Sequence, residues 1–273
     1  MTNNESSVST AARMGGTLGM AAAVLVVAGA GGAALGALPP FGGFLLMVLG
    51  LGVALMGTVT SIVGIVATSA GKNRGGRDLA VRGLLLCLIT VIALAVPASK
   101  GSGLPRINDI TTDVGDPPVF VSALEAEPNQ GRDMKYPGEE FAAQQQAGYP
   151  DLASLVLEEE PAAAYDRVRA ALAGLPRMQI TGESREEGRI EGTETSRLFR
   201  FADDVVVRIR PFQDGGSRVD VRSKSRDGKG DLGVNAARIR ELLSRVKASA
   251  PAAKPATAPA PAAPPADAPA AGS

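Results

Sequence analysis

The chain has 273 residues, with 28 lysines and arginines balanced by 28 aspartates and glutamates, no histidine, no tryptophan and one cysteine. That inventory excludes intrachain disulfides, Cys/His zinc sites and every nucleophile that relies on histidine, so neither a metal nor a cofactor is expected. With zero net charge and only 4% aromatic residues, nucleic acid is not an expected partner.

The apolar residues crowd the first hundred positions. Residues 14–71 carry no charged side chain, and neither do residues 83–99. A membrane span needs roughly 20 apolar residues, so the first run fits two spans and the second one. We predict transmembrane helices at about 17–38, 42–68 and 80–98 within a membrane region 1–98, with Pro39 and Pro40 marking the first turn. Gly15 with Gly19 and Gly32 with Gly36 have the spacing that lets helices pack closely in lipid, although glycine is enriched in membrane helices generally. The spans hold no charged group, so ion-coupled transport by this chain alone is not expected.

Loop 72–82 carries Lys72, Arg74, Arg77 and Arg82 against Asp78, and such basic loops stay cytoplasmic. The expected topology is a multi-pass protein of the bacterial inner membrane, N-terminus cytoplasmic and C-terminal domain periplasmic. Arg13 followed by an apolar stretch also fits a cleavable signal peptide, which would leave the remaining topology unchanged.

A linker at 99–105 leads to a segment, 106–247, with the composition of a soluble domain. Pro161 opens a helix over 161–173 in which Tyr165, Val168 and Leu172 share a face, and Gly174 with Pro176 closes it. Strand patterns follow at 177–183, 188–201, 204–211 and 217–225, the last two joined by a turn at Gly215 and Gly216. A final helix spans 235–247 with Ile239, Leu242, Leu243 and Val246 inward. The order predicts an α+β domain, with an antiparallel sheet of about four strands and helices on one face. Residues 248–273 are alanine and proline with few other side chains, the composition of a disordered tail.

Two glycine strings resemble dinucleotide-binding loops. The first, Gly29, Gly31 and Ala34, lacks an acidic residue about 20 positions on, as a ribose would require. The second, Gly228, Gly230 and Gly233, lies between a strand and a helix but has no following strand to complete a βαβ unit. What remains is a glycine-rich loop at a helix N-terminus, where backbone amides can face an anion. The candidate anion-binding set is therefore Arg222, Ser223, Ser225, Arg226, Lys229, Gly230, Asp231, Asn235 and Arg238, with Arg226 expected to be replaceable without loss of stability. The competing reading has Asp231 or Asn235 capping the helix and the cations paired internally, Arg222 with Asp203, Asp204 or Asp231. Asp203 and Asp204 are candidate acidic partners, but as strand neighbours they point to opposite faces and cannot clamp one atom. Ser223 and Ser225 lie on the inward face beside Val219 and Val221, as buried hydroxyls rather than nucleophiles. No catalytic residue can be assigned. Residues 105–160 hold 3 basic and 12 acidic side chains, residues 196–248 hold 13 and 7, and internal docking of the two segments is the simplest consequence.

The strings YPDL at 149–152, GRIEG at 188–192, FADDVVVR at 201–208 and VDVRSKSRDGKGDLGVNAARIR at 219–240 resemble the domain of unknown function (DUF) family 1499. ITTDVGDPPVF at 110–120 is similar to that family's entry segment. Arg177 and Met178 stand where the family often has tryptophan, which puts one core contact in doubt. The resemblance implies a fold neighbourhood, carries no activity, and directs attention to residues 222–238. The function expected first is a membrane-anchored extracytoplasmic binding or scaffold module, its partners the lipid bilayer and an anionic envelope ligand or a membrane protein. An envelope enzyme using Asp and Arg on a phosphorylated or glycan substrate is the second, and a structural subunit of a membrane complex the third.

Overall fold

The computed structural model describes residues 7–249 apart from 71, 73 and 100, so the predicted tail lies outside the described residues from 250 onward. Three long apolar helices come first: α1 (Thr10–Ala34), α2 (Pro40–Ala67) and α3 (Arg77–Ser99). Each is long and apolar enough to cross a membrane. α1 starts at Thr10, earlier than the apolar pattern suggests, so Arg13 lies in its first turn. Proline at the first position of α2 suits a helix start, where the missing N–H has no partner to lose. Threonines 58, 60, 68 and 90 donate their hydroxyls to carbonyls one turn back, which satisfies them without water.

Glycine brings these helices into contact. A Cβ on Gly15 would sit 2.5 Å from Ser61 Oγ, one on Gly19 2.7 Å from the Gly83 carbonyl, and one on Gly29 2.6 Å from the Gly43 carbonyl. Of the first glycine string, Gly29 thus serves helix packing, whereas Gly31 meets nothing within 4 Å and Ala34 is exposed. The other predicted pair differs: Gly32 meets only Leu38 of its own turn, and Gly36 lies past the helix end at φ +76°. Ser9 N–H donates to the Gly75 carbonyl, so the start of α1 and the basic turn before α3 share one end of the bundle.

The second part is built on a six-stranded antiparallel sheet. Its long strands are β3 (Met178–Ser184), β4 (Arg189–Thr195), β5 (Ala202–Phe212) and β6 (Gly216–Ser225), joined in sequence by hairpins. Two strands escape sequence reading, β1 (Asp109–Thr111) and β2 (Leu155–Leu157), both pairing along the free edge of β6. Three residues are too few for a period-2 signal. The expected strand 188–201 ends at Thr195, and residues 196–201 form a loop instead.

One sheet face carries Val205, Val207, Ile209, Val219 and Val221 against the helices α6 (Pro161–Ala173) and α7 (Val234–Ala248). The opposite face is covered as well. The chain from Asp109 to Tyr136, with the short helix α4 (Ser122–Glu125) and a 3-10 turn at Glu127–Asn129, lies across it. The helix α5 (Glu139–Gly148) then leads toward β2, and the Gln145 side chain pairs with both the N–H and the C=O of Thr111.

Candidate functional site

Strand periodicity sorts the polar residues of β5 and β6 into two sets. Asp203, Ser223 and Ser225 face α7, whereas Asp204, Arg208, Arg210, Asp220, Arg222, Lys224 and Arg226 face the covering segment. The prediction that Asp203 and Asp204 diverge holds for this geometric reason.

Under α7 the polar groups form a closed network. Arg238 donates to Asp203 Oδ2 at 2.6 Å, Glu194 Oε2 at 2.5 Å, Ser223 Oγ at 2.8 Å and Asn235 Oδ1 at 2.6 Å. Ser223 donates to Asn235 Oδ1 at 2.7 Å, and the Asn235 amide donates to Ser225 Oγ at 2.9 Å. The serine hydroxyls are buried as expected, but bonded to side chains rather than to backbone. Burial pushes the Asp203 carboxyl above its ordinary value, against the pull of the Arg238 guanidinium.

The α7 N-terminus already holds an anion of its own. Asp231 accepts the N–H of Gly233 through Oδ1 at 2.9 Å and that of Asn235 through Oδ2 at 2.8 Å. This carboxylate satisfies two of the amides at the helix start and sits against its positive end. Gly233 at φ +84° permits the tight return from Asp231 into the helix, in a region that side chains disfavour.

On the other face the cations are engaged by the acidic segment. Arg222 is 2% exposed and makes a bidentate pair with Asp109, Nε to Oδ1 at 2.8 Å and Nη2 to Oδ2 at 2.7 Å. It also donates to the Pro118 and Met134 carbonyls and lies 4.8 Å from the Phe120 ring centre. It is therefore a core ion-pair residue, and its partner is Asp109 rather than Asp203, Asp204 or Asp231. Lys224 Nζ reaches the same carboxylate at 2.9 Å. Burial and the Asp109 charge push the neighbouring Tyr136 hydroxyl up to about 12.

Arg226 is also committed. It grips Asp204 at 2.7 and 2.9 Å, while Asp204 takes further bonds from Thr193 and Asn129 at 2.8 Å each. The hydrogen bond that Arg226 donates to the Asp204 carboxylate raises the Arg226 pKa. With Asp204 buried and four donors on its two oxygens, removing Arg226 would strand a charge, so its replacement is not neutral for stability. Of the nine candidate residues, Lys229 and Gly230 are exposed and the other seven are buried or half-buried.

Further along the face, Arg208, Arg210 and Arg218 converge on Asp220 at 2.9, 3.0 and 3.1 Å, with Ser154 Oγ at 2.5 Å. Asp113 and Asp116 complete the cluster: Arg218 lies 2.7 Å from Asp113, and Arg210 lies 2.8 Å from Asp116. Burial alone would raise Asp220, but the bonds from Ser154 and Arg208 outweigh it and hold the carboxyl below its ordinary value. Glu191, fully buried, accepts the N–H groups of Val121, Ser122 and Ala123 and pairs with Arg189. Sequence reasoning did not single out Asp109, Asp113 or Asp116, and it weighed Glu191 only as a distant acid that Asp203 or Asp204 would have to meet, whereas Glu191 meets the 121–123 backbone and Arg189 instead. The opposite charge excess of the two segments was the signal, and it is resolved as internal docking.

One cleft opens beside these pairs. It encloses about 250 Å³ between Asn108, residues 132–134, and the ends of β5 and β6 at Asp204, Lys224, Ser225 and Arg226. Arg132 reaches into it from the covering segment, donating to the Arg226 carbonyl and, at 3.2 Å, to Asp227. Among the described residues no group of His, Cys, Asp and Glu has the arrangement to hold a metal ion.

A family model described as "Protein of unknown function (DUF1499)" matches residues 109–246, half of the chain. The chain belongs to the DUF1499 family. The match begins at Asp109, the partner of Arg222, and ends at Val246 of α7, so the two-faced sheet with both its coverings is the DUF1499 unit. No curated protein and no solved structure matches the chain. The three apolar helices precede that unit, and the whole is a membrane-anchored module of a family without assigned function.

Proposed function

We propose that this protein is an extracytoplasmic binding module that captures a compact anionic group of the cell envelope in the cleft beside Arg132, Lys224 and Arg226. The carrying observation is the convergence of these three cations from two separate chain segments on one opening of about 250 Å³, with Asn108 and Ser225 as further polar wall. Arg132 is the adaptable member, its side chain 38% exposed. A guanidinium of this kind can exchange Asp227 for a ligand oxygen and form paired hydrogen bonds to it.

Catalysis has weaker support. The carboxylate lining the cleft, Asp204, spends both oxygens on four donors and has no free lone pair directed at a substrate. The inner-membrane orientation is part of the same proposal: N-terminus cytoplasmic, sheet domain periplasmic. It is supported by the basic residues Lys72, Arg74, Arg77 and Arg82 at the bundle end shared with the start of α1. Gly15, Gly19 and Gly29 serve packing within the chain, which weakens the support for a purely structural subunit.

Isothermal titration of the full chain in neutral detergent at low salt, with inorganic phosphate and sulfate as probes, tests the cleft. Saturable binding that weakens at least threefold in Arg132→Gln, with the melting temperature unchanged, is expected. No binding to the wild-type chain, or equal binding to Arg132→Gln, refutes it.

A further inference from the structure

A second opening differs from the first in kind, since the turn between two apolar helices forms most of its wall. It encloses about 460 Å³ between the turn that joins α1 to α2, at Gly36, Leu38, Pro39 and Pro40, and the loop between β4 and β5, at Thr195 and Arg200. That volume falls within the roughly 300–1,000 Å³ of small-ligand sites. The turn is the end of two membrane helices, so the opening lies where hydrocarbon gives way to headgroups.

Four features set its chemistry. An aromatic cluster ties the loop to the helices: Phe44 of α2 stands edge-on to Phe199 at 5.7 Å and to Phe201 at 6.1 Å, with Phe41 stacked beside it at 6.3 Å. Leu198 at the loop tip is 49% exposed and Leu35 at the helix turn is 87% exposed, apolar surface that water alone would leave unsatisfied. Arg200 Nη1 lies against Gly36, in the space a Cβ there would take, which holds the guanidinium across the opening. Among the described residues neither Arg197 nor Arg200 forms an ion pair, unlike the arginines of the sheet. Arg200 also adopts φ +58°, a costly conformation for a non-glycine residue that the loop retains.

We propose that this opening holds the headgroup phosphate of an anionic phospholipid, with Arg200 as its ligand and Leu198 and Leu35 against the first carbons of the acyl chains. The turn between the two apolar helices sets the depth of the opening at the edge of the hydrocarbon, and the phenylalanine cluster holds the loop there. A cation held at that depth meets phosphate as its natural counter-ion, while the apolar tip beside it distinguishes a lipid from a free phosphate. The lipid then serves as a bridge that fixes the sheet domain against the membrane surface. The proposal depends on membrane insertion of the three helices and not on the cleft of Arg132, so either can fail without the other.

The test is native mass spectrometry of the full chain released from mixed micelles holding equal amounts of phosphatidylglycerol and phosphatidylcholine. One phosphatidylglycerol per chain should be retained under activation that strips phosphatidylcholine. Arg200→Gln should lower its retention about fivefold, the ratio expected for one cation near a bilayer surface. Arg200→Asn, which tolerates the left-handed backbone, should do the same, while Arg132→Gln should leave retention unchanged. Equal retention of the two lipids overturns the proposal, as does undiminished retention in both Arg200 variants. Displacement of the lipid by millimolar inorganic phosphate overturns it in favour of a free-anion site.

Discussion

Replacing Arg222 with alanine tests whether the polar face of the sheet is a core. The side chain makes two bonds to Asp109 and two to the Pro118 and Met134 carbonyls. Truncation leaves Asp109, fully buried, with Lys224 as its remaining cationic partner at 2.9 Å, and leaves two carbonyls without this donor. Removing one partner of a buried ion pair costs about 3–5 kcal/mol. Lys224 keeps part of the compensation and the orphaned carbonyls add to the loss, so the expected cost stays within that range. A domain of this size has about 5–15 kcal/mol of total stability, so the variant should be marginal. Arg240→Ala is the control, since its pair with Asp151 is solvent-exposed and worth about 0–1 kcal/mol. The assay is urea unfolding of residues 106–249 followed by far-ultraviolet circular dichroism. That segment carries its own core and needs no disulfide, so cooperative unfolding is expected without the helices. The double variant Asp109→Leu with Arg222→Met should recover about 2 kcal/mol of the summed single costs, because it removes the fully buried pair together and leaves Lys224, 13% exposed, as the one cation without its partner. A cost for Arg222→Ala no larger than that of Arg240→Ala would refute the reasoning.

Alkaline phosphatase fused after Lys247 should be active in cells, and the same enzyme inserted at residue 74 inactive. The reverse pattern overturns the proposed orientation. Asp220 makes stability depend on pH in a defined direction. Its folded pKa is lowered, so its contribution is present above the unfolded carboxyl value of about 3.9 and is lost as pH falls through the folded value. Asp220→Asn should cost about 3 kcal/mol at pH 7, with the gap to wild type narrowing below about pH 4; a gap unchanged from pH 7 to pH 3 would contradict this.

Local pattern was enough to find the membrane helices, α6, α7 and the four long strands. Each reflects a repeat of apolar residues at a spacing the backbone itself imposes, 3.6 along a helix and 2 along a strand. The opposite orientation of Asp203 and Asp204 follows from the same rule, and so does the burial of Ser223 and Ser225 beside Val219 and Val221. The charge excess of two segments announced that they could dock, but not which acid would meet which arginine. Asp109 and Arg222 are 113 residues apart, and their meeting depends on the register of a three-residue strand with no periodicity to read. The covering of the second sheet face was equally hidden, because residues 112–136 cross it largely without regular structure. The loop 196–201 reads locally as a continuing strand, and its departure toward Phe44 is fixed by aromatic contacts with a helix more than 150 positions earlier. Spacing along one segment is a local property and survives in the sequence. Pairing between distant segments is set by the packing free energy of the whole chain, and only the tertiary structure decided it.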